Sequence, residues 1–213
     1  MSLVADTMEI QAYYGLDRDG VAGPDTIGAV LADIRSRGGS QVPLPESTLD
    51  ERTLKYIATL DPKARDRFEH FAKLAKATAA TFGCDYIMIA GQRSWKEQDA
   101  LYGQPWDGKD NDGDGRVDEA DEKVTNAKGG ESNHNFGIAG DFGVFRGKSY
   151  LDNTLPALAS QVHAACAVHA RKLGFEWGGD WKGKFKDLPH FEISTGLTLA
   201  QKRKLYNERG SVL

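Results

Sequence analysis

The sequence predicts an α+β fold, and three observations carry that expectation. Short apolar runs that read as strands, "DYIMIAGQR", "ESNHNFGIAGDFGVF" and "HFEIS", are interspersed with helical stretches instead of alternating strictly with them. Helix signals bracket the stretches between: Asp61 and Pro62 as N-cap and first helical residue, Gly83 as terminator, and a Ser94 to Glu97 capping box. Finally, 213 residues with 40% hydrophobic content suffice for one full domain and a small appendage.

The appendage comes first. "IQAYYGLDRDGVAGPDTIGAVLADI" has the rhythm of two short helices joined by a Gly-rich turn, with Pro24 and Asp25 starting the second. This predicts a helical segment over 1–38 and a linker over 39–49, around "RGGSQVPLPEST". The main domain then runs over 50–213. It opens with helices "DERTLKYIATL" and "DPKARDRFEHFAKLAKATAATFG", followed by the buried strand "DYIMIAGQR" and the helix "SWKEQDALYG". Arg93 therefore stands at a strand end just before a helix. An acidic loop, a second strand carrying Asp141, a long helix around "LPALASQVHAACAVHARKLG", the strand "HFEIS" and a terminal helix "TLAQKRKLYNERG" complete it.

Composition removes several classes of function. A net charge of −4 with no basic stripe gives no footprint for nucleic acid. No window approaches the ~20 apolar residues of a membrane span. "MSLVADTMEI" has neither a basic n-region nor an apolar h-region, so no secretory signal is expected; the chain would be cytoplasmic until lysis or leave by another route. Cys84 and Cys166 sit in apolar settings and read as two buried thiols. A monomer is expected.

Asp141 is out of place in a Gly-rich apolar strand, because a buried carboxylate without a partner is costly. A cation answers the problem. His134 lies seven residues before Asp141, with Gly137 and Gly140 between them, and His190 in "KDLPHFEIS" is placed at a strand start by Pro189. Two histidines and one carboxylate leave a fourth position open on zinc, as a catalytic site requires. The same ligands match the facial triad of iron oxygenases, although six residues rather than one separate the first two ligands here. Asp187, three residues before His190, is placed to act as general base. His70, His163 and His169 fall in helical segments and are expected to be structural.

Read together, "SNHNFGIAGD" and "DLPHFE" resemble the two signatures of the zinc D-Ala-D-Ala carboxypeptidase and L-alanyl-D-glutamate peptidase family, whose fold is shared with the hedgehog signalling domain. "GQRSWKEQDALY" is similar to its Arg-bearing segment. The resemblance implies a small antiparallel sheet carrying the zinc site, with His134, Asp141 and His190 as ligands. It further implies Asp187 as acid/base, Arg93 at the oxyanion, and Ser132 on the substrate cleft. "GGDW", ending at Trp181, resembles the endopeptidase branch and adds Trp181 to the substrate site. The activity implied is hydrolysis of a stem-peptide bond in bacterial peptidoglycan, L-alanyl-D-glutamate or D-alanyl-D-alanine, by an endolysin-like enzyme at the cell wall. "DGVAGPDTIGAV" resembles the end of a peptidoglycan-binding helical repeat. A non-catalytic, metal-stabilised module like the hedgehog proteins is the alternative of another class.

Between the Arg-bearing helix and the His134 motif lies "DGKDNDGDGRVDEADEK", residues 107–123, which carries a net −5 against −4 for the whole chain. Asp110, Asp112 and Asp114 followed by Gly115 match the start of a calcium loop. The same count puts Arg116 at its seventh position, which ligates through the main-chain carbonyl, and Asp118 and Asp121 at its ninth and twelfth. An EF-like calcium site is expected, with Asp in place of the usual bidentate Glu.

Overall fold

The computed structural model describes residues 49–213; the helical segment expected over 1–38, and all of the 39–49 linker except Leu49, lie outside the described residues. The main domain is α+β, as expected. Helix α1 (Glu51–Thr59) starts where Asp50 accepts from the Thr53 N–H at 2.9 Å and from its hydroxyl at 2.7 Å. Helix α2 (Pro62–Ala80) starts where Asp61 accepts from the Lys63 N–H at 2.9 Å, with Pro62 in the first turn. The α2 stripe of Ala64, Phe68, Phe71, Ala72, Ala75 and Ala79 is fully buried, following the 3.6-residue period. It packs against helix α5 (Pro156–Lys172), where Val162, Cys166, Ala167 and Ala170 are buried. Small residues on both surfaces let the axes approach, and the Cys166 Sγ lies 3.5 Å from the Ala75 carbonyl.

The sheet is antiparallel in the order β1 (Asp85–Ala90), β2 (Ala139–Arg146), β5 (His190–Ile193), β4 (Phe175–Trp177), with β3 (Ser149–Tyr150) paired to the end of β2. Alternation along the strands divides its two faces. Phe142 and Val144 of β2 and Phe191 and Ile193 of β5 enter the core, whereas Asp141, His190 and Glu192 take the opposite face. The core is aromatic: Phe71 lies 5.1 Å from Phe142 and 4.7 Å from Phe191 between ring centroids. Gly140 lies on the core face, where an added Cβ would meet the Met88 Cε at 2.3 Å and the Phe68 Cε1 at 3.1 Å, so those side chains would have to shift.

Helix α3 (Trp95–Gly103) begins with the expected capping box between Ser94 and Glu97. Short helix α4 (Leu151–Thr154) and the terminal helix α6 (Leu199–Arg209) complete the set. His163 is structural, as expected: it bridges the Tyr86 hydroxyl at 2.8 Å and Asp152 at 2.6 Å, and Asp152 also accepts from the Val144 N–H. His169 bonds Thr78 across α5 and α2. Cys84 and Cys166 are free and buried, also as expected, and burial pushes the Cys166 thiol up to about 12.

A 3-10 turn (Asn133–Phe136) precedes β2 where the sequence suggested the approach to a strand. It ends at Gly137, whose φ of +68° reverses the chain so that His134 and Asp141 face each other. The Gly137 carbonyl accepts from the Asp61 N–H at 3.0 Å, and an added Cβ would sit 2.6 Å from that nitrogen. Gly137→Ala is expected to destabilise the domain by about 1–3 kcal/mol, the scale of a strained backbone residue. Equilibrium denaturation checks this, and a midpoint equal to the parent's would contradict it.

Candidate metal centre

Strand register assembles the site. Asp141 is the cross-strand partner of His190 on one side and of Ala90 on the other, so the two side chains share a face and Gly91–Arg93 follow directly beside them. His134 comes in from the 3-10 turn, which Ser132 caps by accepting from the His134 N–H at 3.3 Å. The His134 Nε2 lies 3.2 Å from the Asp141 Oδ1 and 3.3 Å from the His190 Nδ1, and the last two atoms are 3.0 Å apart. His134 and His190 are only 3% and 6% exposed. The expected ligands therefore converge, although they come from separate parts of the chain.

The outer hydrogen bonds decide which ring nitrogens are bare. His134 Nδ1 faces the Gly91 carbonyl at 2.8 Å, and a carbonyl only accepts, so Nδ1 carries hydrogen and Nε2 is the free lone pair. His190 Nε2 faces the Glu192 carboxylate at 2.8 Å, so Nε2 carries hydrogen and Nδ1 is free. With neutral rings, three acceptor atoms then point at one another with no donor among them. Only a proton or a metal cation relieves this, so the donor set fits a divalent metal; two imidazoles and a carboxylate suit zinc. The electrostatics agree. Burial opposes the charge on Asp141, yet His134 and His190 hold it well below the usual carboxylate range. Burial likewise opposes charging His190, but hydrogen bonds with Asp141 and Glu192 push it up to about 10.

The remaining predicted residues surround this centre. A cavity of about 440 Å³ is lined by Arg93, Ser132, His134, Asp141, Trp181 and Asp187 among others. Arg93 donates from Nη2 to the second Asp141 oxygen at 2.9 Å, a contact the sequence did not suggest. The expected oxyanion residue is thus also the partner of a ligand. Asp187 is fixed by its backbone: its N–H donates to the Gly178 carbonyl and its carbonyl accepts from the His190 N–H, both at 3.3 Å. Burial, and then the nearby Asp141, raise the Asp187 carboxyl above its ordinary value. That is the direction a proton-transfer group requires. Trp181 lies 5.1 Å from His190 between centroids and stacks on the exposed Phe185. The sequence reading missed Glu192, although its position two residues after His190 in a strand placed it on the same face.

The acidic loop differs in detail from its expected spacing. The carboxylates of Asp110, Asp112 and Glu122 come within 4.8 Å of one another. Asp121, expected at the twelfth position, is exposed on a 3-10 turn (Ala120–Glu122) and is not among them, whereas its buried neighbour Glu122 is. Glu122 accepts from the Asn111 N–H at 2.7 Å and the Glu119 N–H at 2.9 Å. Asp114 is paired with its Arg116 side chain at 2.5 Å, and Asp118 accepts from the Gly108 N–H at 2.7 Å.

The family model for D-alanyl-D-alanine carboxypeptidase matches residues 125–193, which include Ser132, His134, Asp141, Asp187 and His190. The peptidoglycan L-alanyl-D-glutamate endopeptidase CwlK of Bacillus subtilis (strain 168) is 40% identical over 126 residues, covering 57% of this chain and 68% of CwlK. The chain belongs to this peptidase family. Among solved structures, the Serratia marcescens L-Ala D-Glu endopeptidase ChiX matches with a TM-score of 0.44 at 20% identity, over 74% of this chain and 97% of ChiX. The vancomycin-resistance D,D-pentapeptidase VanY, as a variant in complex with Zn(II), matches with a TM-score of 0.42 at 17% identity, over 71% of this chain and 80% of VanY.

A proton count tests the centre. At pH 7.5 the metal-free protein should hold His190 protonated, since its value is raised to about 10, and zinc must displace that proton from Nδ1. Calorimetry in buffers of different ionisation enthalpy is expected to show about one proton released per zinc bound. Zinc uptake with no proton release would contradict a charged His190.

Proposed function

We propose that this protein is a zinc-dependent peptidase that hydrolyses the stem peptide of bacterial peptidoglycan at the L-alanyl-D-glutamate bond. The observation that carries the reading is the convergence of three acceptor atoms beside a half-buried carboxyl, Asp187, which does not belong to the ligand set. His134, Asp141 and His190 would hold the zinc. When bound, zinc supplies a Lewis acid that polarises the scissile carbonyl and makes water acidic enough to attack at neutral pH. Asp187 takes the proton of the attacking water and returns it to the leaving amine. Arg93 fixes the second oxygen of Asp141 and lines the cleft, where its positive charge favours a developing oxyanion. Ser132 and Trp181 line the same cleft and would contact the peptide.

The site of action would be the cell wall. Among the described residues no helix is long and apolar enough to cross a membrane. The CwlK relative favours the L-alanyl-D-glutamate bond, and the family description keeps D-alanyl-D-alanine hydrolysis as the second reading. Mass spectrometry of fragments from digested peptidoglycan decides between them: a new D-glutamyl N-terminus is expected, and release of free D-alanine alone would establish the second. An iron oxygenase would leave Asp187 without a role. A non-catalytic module would have no use for Asp187 and Arg93 aligned on the cleft.

Asp187→Ala is expected to keep zinc and lose about two to four orders of magnitude in turnover, the scale of a general base. Near-normal hydrolysis by the zinc-loaded variant would remove Asp187 from the mechanism.

We further propose that the acidic loop binds calcium through Asp110, Asp112 and Glu122. Oxygen-only ligands suit that ion, and without it the clustered carboxylates repel one another. Short connections anchor the segment that follows the loop near the centre. Gln98 donates to Thr125 and to the Ala127 carbonyl, and the Gly130 N–H donates to Asn135, beside His134. Calcium removal from zinc-loaded protein is expected to lower wall hydrolysis reversibly, and Asp112→Ala should do the same with zinc retained. Unchanged activity alongside independently confirmed calcium binding would leave the loop a structural role.

A further inference from the structure

One half-buried carboxylate beside the centre is neither a ligand nor a proton-transfer group in the chemistry above. Glu192 lies two residues beyond His190 on β5, and the strand period of two turns both side chains to the same face. Its Oε2 is 2.8 Å from the His190 Nε2, and the two side chains are only 15% and 8% exposed. The cross-strand partners of Glu192 are Ala139 and Glu176, so the pairing strands on either side bring no cation to it. Its charge is instead balanced from behind. Asn133 donates to it, and Lys202 of α6 donates from Nζ to the Asn133 Oδ1 at 2.8 Å. A continuous path therefore runs from the terminal helix through Asn133 and Glu192 to the far side of the His190 ring.

We infer that Glu192 is the positioning residue of the metal centre: it selects the His190 tautomer with Nε2 protonated, presents Nδ1 to the metal, and is itself held by Asn133 and Lys202. A neutral imidazole offers either nitrogen, and only the partner on the outer side decides which one is free. The Gly91 carbonyl performs that service for His134 through the main chain, where no substitution reaches it. For His190 the same service falls to a side chain, so the two ligands are set by opposite means. The carboxylate also makes the imidazole a stronger donor to the metal, which a carbonyl does less.

This role rests on the zinc reading above, and the experiment separates the two. Zinc dissociation constants are measured by competition with a chromophoric chelator for the parent, Glu192→Ala and Glu192→Gln, and each protein is also loaded with Co(II) for its visible spectrum. The parent is expected to bind one zinc. Glu192→Ala is expected to bind about 10- to 100-fold more weakly, the usual effect of losing such a partner. Its Co(II) bands should be altered, because ring orientation changes, and Glu192→Gln, which keeps an acceptor, should fall between. Should Glu192→Ala fail to fold, Lys202→Met and Asn133→Ala, which loosen Glu192 without removing it, are expected to shift affinity and spectrum the same way by less. Parent-like affinity and spectrum in every folded variant would overturn the role of Glu192 and leave the zinc reading standing. A parent that takes up no zinc would overturn both.

Discussion

Three acceptor atoms held within 3.3 Å of one another, which only a shared proton or a metal cation can reconcile, are the constraint on which this structure depends. Lone pairs do not gather of their own accord in a buried place. The arrangement persists because each group is held from outside by something stronger than its aversion to the others. The Gly91 carbonyl holds His134, Glu192 holds His190, and Arg93 holds Asp141. This outer ring of contacts orients the inner atoms.

That outer ring is in turn a product of the sheet. Antiparallel pairing of β2 with β5 sets Asp141 opposite His190, and the antiparallel β1 delivers Gly91 and Arg93 at its end. The same alternation that turns these residues to one face turns Phe142, Phe191 and Val144 to the other, where they meet the α2 stripe. A one-residue slip of β5 would send His190 into the aromatic core and Phe191 into the cleft. The apolar face therefore fixes the register, and the register fixes the chemistry. Buried ionic groups contribute little to stability by themselves, so it is the aromatic packing that offsets the cost of assembling them.

The parts of this design that recur at short range were legible in the sequence. Asp61–Pro62, the Ser94 box and the spacing of His134 and Asp141 each state a local rule, and each is obeyed. What the sequence did not disclose depends on pairing or on very short elements. The three residues of β4 are too few to show a period, and β3 has only two. Counting along the acidic loop selected Asp121, because loop spacing assumes a fixed backbone path; the 3-10 turn there moves the buried position to Glu122. Glu192 was legible in principle, since strand alternation alone put it beside His190. Its partner Lys202 was not, because the contact joins β5 to the terminal helix through Asn133.

The central claim is that His134, Asp141 and His190 form one metal site. X-ray absorption at the zinc edge of the loaded protein tests it most directly. Two imidazole nitrogens at about 2.0–2.1 Å with the remaining ligands oxygen, and no sulfur, are the result this account predicts. A sulfur shell at about 2.3 Å, which only Cys84 or Cys166 could supply, or a spectrum with no imidazole scattering, would contradict it.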